Sequence, residues 1–206
     1  EYAATARGHF NRMRSEVAIG QYLDVLEEQI PSFAPEQEQL ARSTRVLIYK
    51  SAKYSVEAPL LIGAALAGAS AEQEQALADF GLPVGVAFQL RDDLLGVFGD
   101  QEVTGKPAGD DLAEGKRTIL VTIARSALPA TQQRVFDELI GDLHLDAGQI
   151  EMLQRTIRGT GAVEQVEQMI ARNLERATGA LADSPLRQEA RAHLSALAHR
   201  VSKRDF

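Results

Sequence analysis

FQLRDDLLGVFGDQEVTGKPAGDDLAEGKRT, residues Phe88–Thr118, joins an apolar helical segment to a glycine-rich loop. Through Phe98 the stretch is apolar except for Gln89, Arg91, Gly96 and the adjacent Asp92 and Asp93. Neighbouring residues on a helix point about 100° apart, so both carboxylates can border one cavity without facing each other. Gln89 lies one turn before them and Gly96 one turn after. Carboxylates and an amide among apolar side chains make a hard oxygen-donor set. That set suits Mg²⁺, which takes one or two carboxylates plus waters and phosphate oxygens. An isolated Asp-Asp pair is ordinarily a solvated or salt-bridged surface feature. Here the helix around it is apolar, and ionised Asp is rarely buried without a partner.

The loop that follows supplies the opposite charge. Lys106, Lys116 and Arg117 stand among Gly99, Gly105, Gly109 and Gly115, with Asp100, Asp110 and Asp111 interleaved. Glycines let backbone approach a phosphate, and cations neutralise it. The spacing is not that of a P-loop. Beside the Asp-Asp helix the loop reads as a metal-diphosphate pocket. A second cationic element is YKSAKYSVE, where Lys50 and Tyr54, and Ser51 and Ser55, fall one turn apart with Lys53 alongside. A lysine before an almost wholly apolar helix either snorkels or meets an anion. In RSEVAIGQYLD, Glu16, Gly20 and Asp24 repeat at one-turn intervals beside Gln21. Taken alone that polar stripe is more often an exposed face than a site. His9, His144, His193 and His199 have no acidic or histidine partner at metal-ligand spacing and read as chemically idle.

Working outward, the periodicity is helical almost throughout. Phe10, Met13, Val17, Tyr22, Leu23 and Leu26 recur at steps of three and four, predicting a core-facing helix. Pro31 and Pro35 break it. A second helix is predicted from Gln37 to Ala69. Its APLLIGAALAGA half is apolar on nearly every face and so belongs inside a bundle. A third runs from Ala71 to Phe98, kinked near Gly81, Pro83 and Gly85. Gly99 to Gly115 reads as a loop without period. Five further helices follow. The acid-rich one from Ala162 to Ala177 reads as a solvated face, and the last is predicted to start on a Ser184 cap with Pro185 in its first turn. No strand of credible length is present, so the fold class is all-α. With 206 residues and 45% hydrophobic content the chain can bury a core as one domain. A net charge of −7 excludes nucleic acid as the main partner. Absent cysteine excludes disulfides, thiolate metal sites and a cysteine nucleophile. No apolar run reaches membrane-span length and no basic-apolar leader opens the chain, which points to the cytoplasm.

These motifs closely resemble the trans-isoprenyl diphosphate synthases, the polyprenyl synthetase family. The Asp-Asp helix and its loop are similar to that family's second aspartate-rich region, EVAIGQYLD to its Glu-Gly-Gln-Asp helix, and YKSAKYSVEAPLLIGAALAG to its Lys-Ser/Thr helix. They occur in family order, and the wording is most like short-chain geranylgeranyl-type and farnesyl-type synthases. The resemblance implies an all-helical, isoprenoid synthase-type bundle around a central cavity, usually homodimeric. It implies Mg²⁺-dependent condensation of isopentenyl diphosphate with an allylic diphosphate. On this reading Asp92 is the principal metal ligand with Asp93 beside it. Lys50, Lys106 and Lys116 bind diphosphate, and Asp24 and Asp111 hold the lysines. Gln21, Ser51 and Gln89 line the reacting end with neutral dipoles.

Two departures from the family pattern stand out. Many members carry a third Asp where this chain has Gly96, and Asp100, a turn further on, is the candidate to compensate through water. The family's first aspartate-rich motif does not occur in these residues. They therefore read as the C-terminal part, 1–206, of a single polyprenyl synthetase domain lacking its N-terminal helices, and unable to turn over alone. A non-catalytic helical subunit of a heteromeric synthase is the competing reading, which the retained Asp92, Lys50 and Lys116 argue against. A related terpene cyclase is disfavoured because its Asn/Ser/Glu metal motif is not seen.

Overall fold

The computed structural model describes residues 2–29, 35–101, 105 and 107–202. Among them every regular element is helical and no strand occurs. In chain order these are α1 (Tyr2–Gln29), α2 (Glu36–Val46), a π-helical segment (Leu47–Glu57), α3 (Ala58–Leu66), α4 (Ala71–Phe98) and α5 (Asp110–Ala113). There follow α6 (Ile119–Ser126), α7 (Ala130–Leu139), α8 (Ala147–Gly159), α9 (Ala162–Ala182) and α10 (Gln188–Ser202). The all-α expectation is met. No helix of the described residues is long and apolar enough to cross a membrane. The chain forms two compact units. One gathers the residues up to Asp24, Arg45–Gln89 and those from Met169 onward; the other holds Val25–Thr44 and Leu90–Gln168.

α4 contributes to both units and runs unbroken through Pro83. Phe80, Val84, Ala87, Leu90, Leu94 and Val97 follow one another at steps of three and four, and all are fully buried. Each large aliphatic or aromatic side chain so buried contributes about 1.5–3 kcal/mol. That stripe fixes which way the two carboxylates of α4 point.

In the first unit the predicted continuous α-helix from Gln37 to Ala69 is corrected. Its middle is a π-helix, with the Ala58 N–H donating to the Lys53 carbonyl five residues back, and its last part ends at Leu66. Two neighbouring helices press on this segment through glycines. A Cβ on Gly20 of α1 would fall on the backbone of Lys50, and one on Gly85 of α4 would fall on the Ala52 carbonyl. Ala52 between them is fully buried. The widened turn accompanies a backbone held between two others at a distance only glycine permits.

Three further expectations are overturned in this unit. The predicted core stripe of α1 is partly turned out, with Phe10 44% and Tyr22 65% exposed, while Gly20 in the polar stripe is buried. Close approach at Gly20 forces that choice, because the Glu16 and Asp24 side chains on the same face find cations there. α3 is not enclosed: Ala58 and Ala65 are buried but Leu66 is 58% exposed, so its apolar surface exceeds what its unit covers. α10 starts at Gln188, because the Ser184 hydroxyl is bonded back to the Leu181 carbonyl (3.0 Å) at the end of α9.

In the second unit the core is α6, buried from Ile119 through Ala124 and capped by Thr118, whose hydroxyl accepts from the Val121 N–H. Ser43 and Thr122 share a buried hydrogen bond of 3.0 Å that ties α2 to α6. The end of α4 is held by α8. Gln154 donates to the Val97 carbonyl (2.6 Å), which helix geometry leaves without a helical partner, and Arg158 lies 4.3 Å from the Phe98 ring centroid. The segment read as a loop without period contains α5, led by Gly109 at φ 79°.

Gly20→Ala and Gly85→Ala should each lower the thermal midpoint by several degrees, an overpacking cost of about 1–3 kcal/mol. Gly63→Ala, with nothing within 4 Å of its added Cβ, should be neutral or stabilise by up to about 1 kcal/mol. Thermal unfolding followed by circular dichroism compares the three directly.

Candidate functional site

In the first unit the chemistry gathers on the π-helical segment. The Lys50 ammonium donates to Asp24 of α1, one turn beyond Gly20. The Lys53 ammonium donates to Glu16 at 2.5 Å and lies 5.2 Å from the Tyr49 ring centroid. The one-turn stripe of α1 is therefore a row of lysine acceptors rather than an exposed face. Ser51 and Gln89 are half-buried in this unit and Gln21 is exposed. His9, read as isolated, meets Glu74 at 3.2 Å, a partner 65 residues away that local spacing cannot reveal. Burial pushes the Glu57 carboxyl above its usual 4.5; Lys53 pulls against that shift and Glu16 adds to it. The same unit holds an apolar cavity of about 370 Å³ lined by Val56, Pro59, Leu60, Val84, Phe88 and Leu197, with Arg200 at its wall.

In the second unit α4 presents its two carboxylates unequally, as their angular separation requires. Asp92 is exposed and Asp93 is 7% exposed. Arg91 beside them is anchored by a bidentate pair to Glu167 of α9, at 2.6 and 2.7 Å. Glu167 thus corrects the reading of that helix's acidic face as solvated. Lys116 donates to Asp111 at 2.5 Å and to Glu114 at 2.7 Å. Burial works against its ammonium, but those two carboxylates outweigh it and hold its pKa above the ordinary 10.5. Lys116 therefore stays cationic at any physiological pH. The carboxylates of Asp110, Asp111 and Glu114 lie within 4.8 Å of one another, and two of them share the Lys116 ammonium. Lys106 lies outside the described residues.

At Gly96 the sequence suggested an empty place with Asp100 nearby to compensate. The structure puts another residue there: a Cβ on Gly96 would land on the Asp111 carboxylate. Asp100 is exposed. Nothing local in the sequence announces that contact, because the two residues are joined only by the fold.

Chemically, each unit carries a lysine held by an aspartate, and one adds an adjacent carboxylate pair. An ammonium offers three donors and a full charge, which suits a polyanion such as a diphosphate. An exposed Asp92 next to a nine-tenths buried Asp93 offers the hard oxygen donors that Mg²⁺ takes. The residues fit that ion.

A family model described as Polyprenyl synthetase matches residues 3–157. The geranylfarnesyl diphosphate synthase of Aeropyrum pernix is 38% identical over 130 residues, 63% of this chain and 40% of that protein. The octaprenyl diphosphate synthase of Escherichia coli is 32% identical over 195 residues, 92% of this chain and 56% of that one. Among solved structures, the geranylgeranyl pyrophosphate synthase of Corynebacterium glutamicum, complexed with isoprenyl diphosphate and magnesium, superposes with a TM-score of 0.91 at 40% identity. That match covers 100% of this chain and 57% of the other. The chain spans about half the length of the relatives it matches.

Glu57 gives a pH test. The unfolded chain ionises it near 4.5 and the folded chain only at higher pH. Between those values the folded state holds the extra proton, so stability falls as pH rises through the window. Glu57→Gln removes that loss. Its melting temperature relative to the parent should climb between pH 4 and pH 7, as read from melts across a buffer series.

Proposed function

This chain belongs to the polyprenyl synthetase family, and from that premise we propose that the complete protein is a prenyl diphosphate synthase. It condenses an allylic prenyl diphosphate with isopentenyl diphosphate to give a longer trans-prenyl diphosphate of geranylgeranyl or farnesyl length. The observation that carries the proposal is the retention of two aspartate-held lysines, Lys50 on Asp24 and Lys116 on Asp111, with Asp92 and Asp93 on α4. A helical subunit with only a packing role has no need of half-buried charge in these positions.

In the reaction the allylic carbon–oxygen bond breaks and pyrophosphate leaves with the electron pair. The double bond of isopentenyl diphosphate attacks the resulting cation, and a proton is lost. Asp92, with Asp93 beside it, would hold Mg²⁺, whose charge would offset that developing on the leaving group. Lys50, Lys106 and Lys116 bind diphosphate oxygens and stabilise the same charge. Asp24 and Asp111 orient the two lysines with which they pair. Gln21, Ser51 and Gln89 present neutral dipoles, which stabilise a cation without capturing it. The apolar cavity walled by Val84 and Phe88 suits a hydrocarbon chain better than a charge. The proposal includes a homodimer acting in the cytoplasm and the residues here as the C-terminal part of one synthase domain.

The test is condensation by the complete protein, followed as prenyl product formed from isopentenyl and allylic diphosphates with Mg²⁺. Asp92→Asn should lower the rate at least about a hundredfold and leave the thermal midpoint unchanged, because Asp92 is exposed. Parent-like turnover in that variant would overturn the metal assignment, and no product from the parent would overturn the activity.

A further inference from the structure

Arg91 stands directly before the two carboxylates of α4 and has no part in the reaction proposed above. The 100° step of the helix sets Asp92 roughly opposite Leu90, with Arg91 and Asp93 on the two flanks. Exposure follows that order: Leu90 is fully buried, Arg91 and Asp93 are each 7% exposed, and Asp92 is exposed. A buried guanidinium is costly unless its charge is met. Here its two terminal nitrogens donate to the two carboxylate oxygens of Glu167, at 2.6 and 2.7 Å.

Glu167 is carried by α9, whose Ala162 and Val166 are fully buried. A second set of ties holds α4 just past the carboxylates, where Gln154 meets the Val97 carbonyl and Arg158 the Phe98 ring. Asp92 and Asp93 therefore stand between two anchors. A leucine or methionine at position 91 would fill a buried place without a partner, and buried ion pairs seldom stabilise more than such packing. What the bidentate pair adds is direction, because a planar fork meets a carboxylate in one orientation. Side-chain tips lie roughly 5–6 Å from a helix axis, so a rotation of about 10° carries a carboxylate about 1 Å. Mg²⁺ takes its oxygens at about 2.0–2.1 Å in a near-octahedral set, and a shift of that size loses a ligand.

We propose that Glu167 is a positioning residue for the metal carboxylates of α4. Through Arg91 it fixes the rotation of the helix, so that Asp92 keeps its outward aim. It also cancels a positive charge one residue from the place where a dication binds. In this role neither Arg91 nor Glu167 touches metal or substrate. The proposal rests on the reading of Asp92 as the Mg²⁺ ligand. Without the Glu167 charge, a nearly buried guanidinium is left beside two carboxylates. It then competes with the ion for them or repels it, and in either case the site holds Mg²⁺ less well.

The test titrates Mg²⁺ into the complete protein at a fixed concentration of inorganic pyrophosphate and follows the thermal midpoint. The Mg²⁺ concentration that gives half the rise reports ion binding without turnover. Glu167→Gln keeps the size and one acceptor oxygen but not the charge, and should raise that concentration about tenfold. Arg91→Gln/Glu167→Gln removes both charges and lets two amides pair across the same gap. It should return the concentration to within about threefold of the parent, even with a lower midpoint before Mg²⁺ is added. A pair that serves stability alone would lower the ion-free midpoint of Glu167→Gln and leave the half-rise concentration at the parent value. That result overturns the positioning role, as does a double variant that needs as much Mg²⁺ as Glu167→Gln. A parent whose midpoint does not respond to Mg²⁺ with pyrophosphate overturns the metal reading itself, and the positioning role with it.

Discussion

Each lysine–aspartate pair that matters here is seated on a glycine. In one unit Gly20 lets α1 lie against the backbone of Lys50, so that Asp24, one turn further, reaches the ammonium. In the other Gly96 lets the Asp111 carboxylate lie on α4 while it holds Lys116. Half-buried ions are costly to leave unpaired, so the backbone contact and the ion pair support each other. Widening the contact at Gly20 by a methyl group strands the charges. Removing one charge leaves a close contact around an unmatched ion.

That arrangement suits the chemistry proposed. An ammonium bound to a carboxylate loses little conformational freedom when an oxyanion arrives, because its long side chain is already held. Lys116 shows the electrostatic side of this: its carboxylates keep it cationic against burial. On α4, the exposure of Asp92 and the burial of Asp93 follow from one apolar stripe and a 100° step.

What could be read in the sequence and what could not divide along physical lines. The bounds of α4 were legible because its stripe repeats at the helical period and loop residues flank it. The lysines and acids at one-turn spacing were legible as candidates, and the partner of each was open until the fold brought helices together. The π-helix at Leu47–Glu57 was hidden because hydrophobic periodicity does not report backbone bonding. The orientation of α1 was misread because Gly20, with no side chain, outweighs Phe10 and Tyr22 in deciding which face is pressed inward. Gly96 looked like a loss for the same reason: its occupant arrives from fifteen residues on, through a short helix inside what reads as loop. Glycine carries no hydrophobic signal, yet here it marks the closest contacts.

The most direct test of the account is a crystal structure of the complete protein with Mg²⁺ and pyrophosphate. It should show phosphate oxygens within about 3 Å of the ammonium of Lys50 or of Lys116, with the bonds to Asp24 and Asp111 kept. Pyrophosphate bound away from both lysines, or lysines that abandon their aspartates to reach it, would contradict the claim that these glycine-seated pairs are built to receive a diphosphate.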